Sequence, residues 1–127
     1  MIEGIEAVML HSANPRQLAE FYEKKVGLKL VGEYEMGEKG EEVFELGFEK
    51  GPALYINPHS EIHTESHEPE RIFINFEVGD IDKAVAKMAS AGVKVIKEKY
   101  HIEGYGYMAT YADPDNNYFQ LVQVRAS

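Results

Sequence analysis

Three histidines in the middle of the chain have the spacing of a metal-binding helix face. His59, His63 and His67 fall four residues apart, with several glutamates among them. On a helix these imidazoles would line one side and could bind Zn²⁺ or Ni²⁺. However, prolines bracket the segment, and its serines and threonine are indifferent helix formers. We therefore favour a solvated connector over residues 58–70, and the sequence leaves metal binding by these histidines open.

Two other titratable residues, His11 and Glu77, lie in segments of strand character. An imidazole and a carboxylate can serve as acid and base near neutral pH, so this pair is the candidate catalytic set of any reaction. His11 equally fits a histidine that only packs near a strand end. The chain contains no cysteine, which excludes disulfides, thiolate metal sites and cysteine nucleophiles.

The elements that position these residues follow from the hydrophobic pattern. In the first half, an apolar run over 5–11 predicts a strand, and Asn14 followed by Pro15 predicts the start of a helix. Gly27 stands where a helix cap belongs. Turn residues then separate three predicted strands, which cover 28–34, 42–48 and 53–57.

The second half repeats this order. A strand over 71–78 precedes a helix that begins at Asp80 and ends at Gly92, and further strands are predicted at 93–97, about 105–111 and 118–124. Residues 27–31 can be overlaid on residues 92–96, both reading as glycine followed by strand residues. An internal repeat at this scale predicts two copies of one structural unit.

We therefore predict an α+β fold in which two βαβββ modules form curled sheets around a concave trough. The 127 residues fit a single domain, with module one at about 1–57, a linker at 58–70 and module two at 71–127. One face of each sheet must pack under its helix, and the other faces the trough, which is the expected binding site for a small molecule.

Strand alternation predicts which side chains face the trough. The strand at 105–111 contributes Tyr107 to this set, although alternation does not fix its parity. The predicted ligand-binding residues are aromatic, apolar or uncharged polar: Ala7, Met9, His11, Tyr55, Asn57, Phe73, Asn75, Tyr107, Tyr118 and Gln120.

Bulk composition excludes several classes of partner. The formal charge of −9 repels nucleic acid and anionic membranes. No apolar run reaches membrane-spanning length, and the N-terminus lacks the basic and apolar regions of a secretory signal. A cytoplasmic protein is expected.

The segment Asp113-Pro114-Asp115-Asn116-Asn117, with the strand after it, resembles the last turn and strand of the vicinal oxygen chelate superfamily. That superfamily holds glyoxalase I, extradiol dioxygenases, and fosfomycin- and bleomycin-resistance proteins. Asn116 stands where the family usually has glycine, and asparagine tolerates the left-handed conformation that such a turn needs. The ends of both helices, at 21–28 and 78–93, resemble the family as well.

Metal-dependent members of that family place His and Glu ligands at four positions. The resemblance puts those positions at Ala7, Tyr55, Phe73 and Gln120, none of which is a good ligand for a divalent cation. It therefore implies no metal and no cofactor. The expected function is metal-free binding of a small, partly aromatic or apolar molecule by a homodimer. The alternative is a lyase, isomerase or dioxygenase with non-standard metal ligands.

Overall fold

A computed structural model describes residues 1–37 and 39–124. The chain divides into two compact units, Met1–Glu65 and Ser66–Ser127, and their boundary falls inside the predicted connector. No helix in the described part of the chain is both long and apolar enough to cross a membrane.

The first unit contains one helical segment and a four-stranded sheet. In chain order it runs β1 (Ala7–Ser12), α1 (Pro15–Glu20), π-type turns that continue the helix (Phe21–Val26), β2 (Lys29–Glu35), β3 (Glu42–Gly47) and β4 (Ala53–Pro58). The strand order is β1-β4-β3-β2, with β1 parallel to β4 and the other pairs antiparallel. The first strand was predicted to begin at residue 5, but Ile5 is 72% exposed and precedes it.

The second unit repeats this plan. A 3₁₀ turn (Pro69–Arg71) leads into β5 (Phe73–Glu77), α2 (Ile81–Ser90), β6 (Lys94–Ile102), β7 (Gly106–Ala112) and β8 (Tyr118–Val124). The order is β5-β8-β7-β6, again with the first and last strands parallel. The βαβββ repeat predicted from the sequence is therefore confirmed. β6 extends past the predicted end at residue 97 and pairs with β7 as far as Ile102, with two irregularities in the register.

Both helices begin at the predicted caps. The Asn14 side chain accepts a hydrogen bond from the Gln17 amide, and the Asp80 side chain accepts one from the Lys83 amide. The first helical segment ends at Gly27 (φ 95°). Glycine adopts that left-handed conformation without the steric cost of a Cβ atom.

Each helix covers one face of its own sheet. In the first unit, α1 contacts β1, β3 and β4, and the Arg16 guanidinium carbon lies 5.2 Å from the Phe44 ring centroid. On this face, four residues of β3 and β4 are almost completely buried: Phe44, Leu46, Leu54 and Ile56. In the second unit, the Ile81 amide at the start of α2 donates to Gln123 Oε1 (2.8 Å), which identifies the helix-covered face of β8.

The turn before the last strand is held by a network centred on Asp113. Its Oδ1 accepts hydrogen bonds from the amides of Asp115 and Asn117, both at 2.9 Å. Asn116 has φ 61° and is the one non-glycine residue with positive φ among those described, as the sequence predicted. Its side-chain amide donates to the Ser66 carbonyl (3.0 Å), which ties the start of the second unit to this turn.

Candidate functional site

The face of the first sheet opposite α1, called here the first open face, carries the predicted binding residues of that unit. The parallel register pairs Ala7 with Ala53, Met9 with Tyr55 and His11 with Asn57, so all of these side chains share one face. Met9 is 51% exposed, and His11 is exposed as well. These residues of β1 and β4 therefore lie on one face, as strand alternation predicted, and their contact with a ligand stays a prediction.

Two tyrosines and a glutamate form a cluster on the first open face. Glu45 pairs with Tyr55 across β3 and β4, and the Tyr34 hydroxyl donates to Glu45 Oε1 (2.8 Å). The pKa of Tyr34 is raised chiefly by this hydrogen bond. Desolvation raises the pKa of Tyr55, with smaller contributions from the charges of Glu45 and Glu6. Both phenols therefore lose their protons at a higher pH than an ordinary tyrosine does.

Sequence reasoning placed Tyr55 on this face but missed Tyr34 and Glu45. The signal was present in residues 43–46, where Glu45 interrupts an otherwise apolar strand on the parity opposite to Phe44 and Leu46. A charged residue at that parity indicates a face that is not packed against a helix.

In the second unit, the face of the sheet opposite α2 holds four of the other predicted residues: Phe73, Asn75, Tyr118 and Gln120. Phe73 pairs with Tyr118 and Asn75 pairs with Gln120. The Phe73 and Tyr118 ring centroids are 6.0 Å apart. Phe73 remains 36% exposed, whereas Gln120 is only 6% exposed.

Gln120 is held by hydrogen bonds within its own unit. Its Nε2 donates to Thr110 Oγ1 (2.9 Å) and to Tyr100 Oη (3.0 Å). Both amide hydrogens are therefore used, and only the carbonyl oxygen remains to accept a further bond. These two hydrogen bonds link β8 to β6 and β7 on this face.

The predicted inward parity of Tyr107 is wrong. Tyr107 pairs directly with Gln123, whose side chain caps the start of α2, so Tyr107 belongs to the helix-covered face. Met108 and Thr110 are among the residues of β7 that share the face of Gln120 instead. Alternation could not reveal this because nearly every residue of β7 is buried, whichever face it occupies.

The candidate acid and base are not brought together within one unit. His11 lies on β1 of the first unit, and Glu77 ends β5 of the second. The ring of His11 instead contacts that of His59 edge to face, with centroids 5.2 Å apart. His59 Nδ1 accepts a hydrogen bond from the Glu61 amide (3.0 Å), which leaves its other nitrogen as the donor.

Metal-ligating side chains are dispersed. Across residues 1–37 and 39–124, no three His, Asp or Glu side chains come close enough to hold one ion. The connector forms no continuous α-helix, so His59, His63 and His67 do not line one helix face. No imidazole or carboxylate is present at the four positions that the resemblance implied as metal ligands, which are Ala7, Tyr55, Phe73 and Gln120.

A cavity of about 500 Å³ opens in the first unit beyond the ends of β1 and β4. It contains none of the predicted ligand-binding residues. Its lining mixes charged and imidazole groups with apolar ones: Arg16, Lys39, Glu41, Glu42, His59 and His63, together with Phe44 and Ile62. The Arg16 guanidinium is already paired with Glu42 there.

Two copies of a βαβββ unit, in each of which the first and last strands pair in parallel, define the glyoxalase-like class of α+β proteins. The sequence model of the Glyoxalase/Bleomycin resistance protein/Dioxygenase superfamily matches residues 4–121. The chain belongs to this superfamily, as the motifs in the sequence indicated. No curated protein sequence matches the chain significantly.

Solved structures with the same fold include proteins of different activities. TnmS3, an antibiotic binding protein from Streptomyces sp. CB03234, is 18% identical with a TM-score of 0.75, and the match covers 97% of each chain. A glyoxylase/bleomycin resistance protein/dioxygenase domain from Frankia sp. EAN1pec is 16% identical with a TM-score of 0.77, covering 98% of this chain and 100% of that one. The fosfomycin resistance protein FosX from Listeria monocytogenes is 16% identical with a TM-score of 0.72, covering 97% and 94%. At such identities the likeness establishes the fold and leaves the activity to the residues of the site.

Proposed function

We propose that this protein binds a small, partly aromatic or apolar molecule without a metal ion, and that the first open face provides the main contacts. The observation that carries the proposal is the chemistry of that face. Met9 and Tyr55 offer accessible apolar and aromatic surface, with a few polar groups beside them. Small-molecule sites commonly have this composition, since apolar contact supplies affinity and sparse polar groups fix orientation.

Asn57 supports a ligand at this face. Its Oδ1 is buried and accepts no hydrogen bond from the described residues. A buried acceptor without a partner is costly, and a ligand that donates a hydrogen bond would remove that cost. His11 lies beside Asn57 through the β1–β4 register and offers a second polar contact.

The residue types at the four family positions support a site without a metal. Ala7 and Phe73 have no donor atom, Tyr55 offers only a phenol whose pKa is raised, and Gln120 offers only a neutral carbonyl oxygen. In metal-dependent members the ion supplies Lewis-acid catalysis. TnmS3, which shares the fold, is an antibiotic binding protein, and small-molecule binding is the function that we extend to this chain.

The first test combines metal analysis with ligand screening. Mass spectrometry of untagged protein, offered Zn²⁺, Ni²⁺, Mn²⁺ and Fe²⁺, is expected to find no stoichiometric ion. One ion per chain that persists in His63→Ala would contradict the proposal, whereas an ion lost in that variant belongs to the connector.

The ligand screen measures the thermal unfolding midpoint of the same protein against a library of small aromatic compounds. Some compounds should raise the midpoint, because a ligand that binds only the folded state stabilises it. Tyr55→Ala should abolish the increase. Tyr105→Ala, which removes a tyrosine from an exposed turn of the second unit, should preserve it. A cytoplasmic location and a homodimer stay predictions, and sedimentation velocity tests the latter.

A further inference from the structure

We propose that the first open face recognises a positively charged organic group, an ammonium carried by the bound molecule. This inference rests on the proposed function, because it names the chemistry of one part of the ligand. The residues that carry it are Tyr34, Glu45 and Tyr55, called here the tyrosine–glutamate cluster.

Glu45 provides the negative charge. It lies partly buried in the middle of β3, between the side chains of two tyrosines. No lysine, arginine or histidine among the described residues forms an ion pair with it. A carboxylate offers about four acceptor positions; the Tyr34 hydroxyl occupies one of them, and Tyr55 makes a smaller hydrogen-bonding contribution. The remaining positions suit a ligand that donates charged hydrogen bonds.

The two tyrosine rings provide aromatic surface for the same cation. A Cβ atom on Gly32 would lie only 2.2 Å from Tyr34 Oη and 2.5 Å from Tyr34 Cζ. The ring of Tyr34 therefore folds back across the bare backbone of Gly32, and this position lets its hydroxyl reach Glu45. Tyr34 is still 37% exposed, and Tyr55 is half-buried beside it. Cations bind over tyrosine rings, and a neighbouring carboxylate strengthens the contact.

The charge around the cluster has the same sign. Glu6 lies near enough to Tyr55 to act on its ionisation. Lys29 is the basic residue of β2 on this face. It pairs with Gly47 at the end of β3, whereas Glu45 pairs with Gly32 nearer the middle. An anionic ligand group would be repelled here, and a neutral one would leave the partly desolvated Glu45 charge without compensation.

An organic cation fits this cluster better than a metal ion. Divalent cations such as Ca²⁺ require six or more oxygen ligands, and Mg²⁺ usually binds through more than one carboxylate or phosphate. A protonated phenol is a poor ligand for either. Aromatic rings beside one carboxylate are instead the common recognition elements for alkylated or primary ammonium groups.

The test compares two probes of nearly equal shape and different charge, benzylammonium and benzyl alcohol. Their affinities for the intact protein are measured by NMR titration at pH 7. Benzylammonium should bind at least about tenfold more tightly, a ratio expected for a partly exposed cation–π and ion-pair contact. The amide signals of Gly32, Glu45 and Tyr55 should shift together.

Glu45→Gln should remove this preference, because the amide still accepts from Tyr34 but carries no charge. Glu33→Gln is the matched control, since it removes one charge from the neighbouring strand on the face shared with Phe44. Gly32→Ala should also weaken benzylammonium binding, because the new Cβ displaces the Tyr34 ring.

Three outcomes would overturn the proposal: equal affinities for the two probes, no binding of either, or equal losses in Glu45→Gln and Glu33→Gln. Circular dichroism confirms that each variant is folded. If neutral aromatic compounds raise the unfolding midpoint through Tyr55 but benzylammonium has no advantage, the proposed function stands and the cation preference is wrong. If no compound binds in a Tyr55-dependent manner, the proposed function fails.

Discussion

The resemblance to metal-dependent relatives implied that Gln120 replaces a carboxylate ligand, and in the structure its amide forms hydrogen bonds within the sheet. It donates to Thr110 and Tyr100 and is almost fully buried. The sequence identified the residue and the face of β8 that it occupies. It could not reveal the hydrogen bonds, because they join three strands that are distant in sequence and depend on the register of β6, whose pairing is irregular.

Replacement of Gln120 by leucine should lower the free energy of unfolding by about 1–3 kcal/mol, the usual cost of leaving buried hydroxyl groups without a partner. Urea unfolding measures this change. The double variant Gln120→Leu/Thr110→Val should lose less than the sum of the two single variants, because both remove the same bond. Additive losses would show that the Gln120–Thr110 contact contributes little.

The tyrosine–glutamate cluster also belongs to the residue scale. Tyr55 was predicted from strand alternation, whereas Tyr34 reaches Glu45 only because Gly32 has no side chain. The Tyr34 ring lies over Gly32, two residues earlier on the same strand, because of the side-chain rotamer of Tyr34 and the missing Cβ of Gly32. Hydrophobic periodicity carries no information about either.

Helix caps and turns were the elements best predicted from sequence. Asn14, Asp80 and Asn116 each act through their own side chain or backbone within a few residues, so local chemistry determines them. The π-type turns at Phe21–Val26 were not expected, since their spacing of apolar residues also fits an ordinary helix. The face of β7 was missed because burial on both sides removes alternation.

Two substitutions of Asn116 separate the two roles that this residue has in its turn. Asn116→Ala should destabilise the protein more than Asn116→Gly, by about 1 kcal/mol, because alanine is strained at φ 61° and glycine is not. Both variants lose the hydrogen bond to the Ser66 carbonyl. Denaturant unfolding of the pair measures the difference, and equal stabilities would mean that the turn relaxes to a negative φ.

At the scale of the whole molecule, the sequence predicted the repeat and the family, because both depend on the order of elements along the chain. It also showed that the 22 acidic side chains outnumber the 13 basic ones. It could not predict the packing around individual tyrosines. That packing determines how far the pKa of each tyrosine differs between the folded and unfolded chain, and so how stability depends on pH.

Stability should decrease as the pH rises above about 10. Hydrogen bonding to Glu45 raises the pKa of Tyr34, and burial raises the pKa of Tyr55 and Tyr111. Below pH 10 both folded and unfolded chains keep these protons, so the contribution to stability is complete. Between the unfolded and the folded pKa, the unfolded chain releases protons first, and the free energy of unfolding falls.

Urea unfolding between pH 9 and 11 measures this effect. Tyr34→Phe should flatten the decrease, whereas Tyr105→Phe, on an exposed turn, should leave it unchanged. A decrease of the same size in both variants would exclude Tyr34 as a contributor.

Every strand pairing of the first sheet is made within residues 7–58, and every pairing of the second within 73–124. Because a ribosome releases the chain from its N-terminus, the first sheet has all its partners before the second has been synthesised. The first sheet can therefore form during synthesis, before the strands of the second sheet have been made. Ribosome-bound chains stalled soon after Glu65 has left the exit tunnel should already resist proteolysis over the first unit.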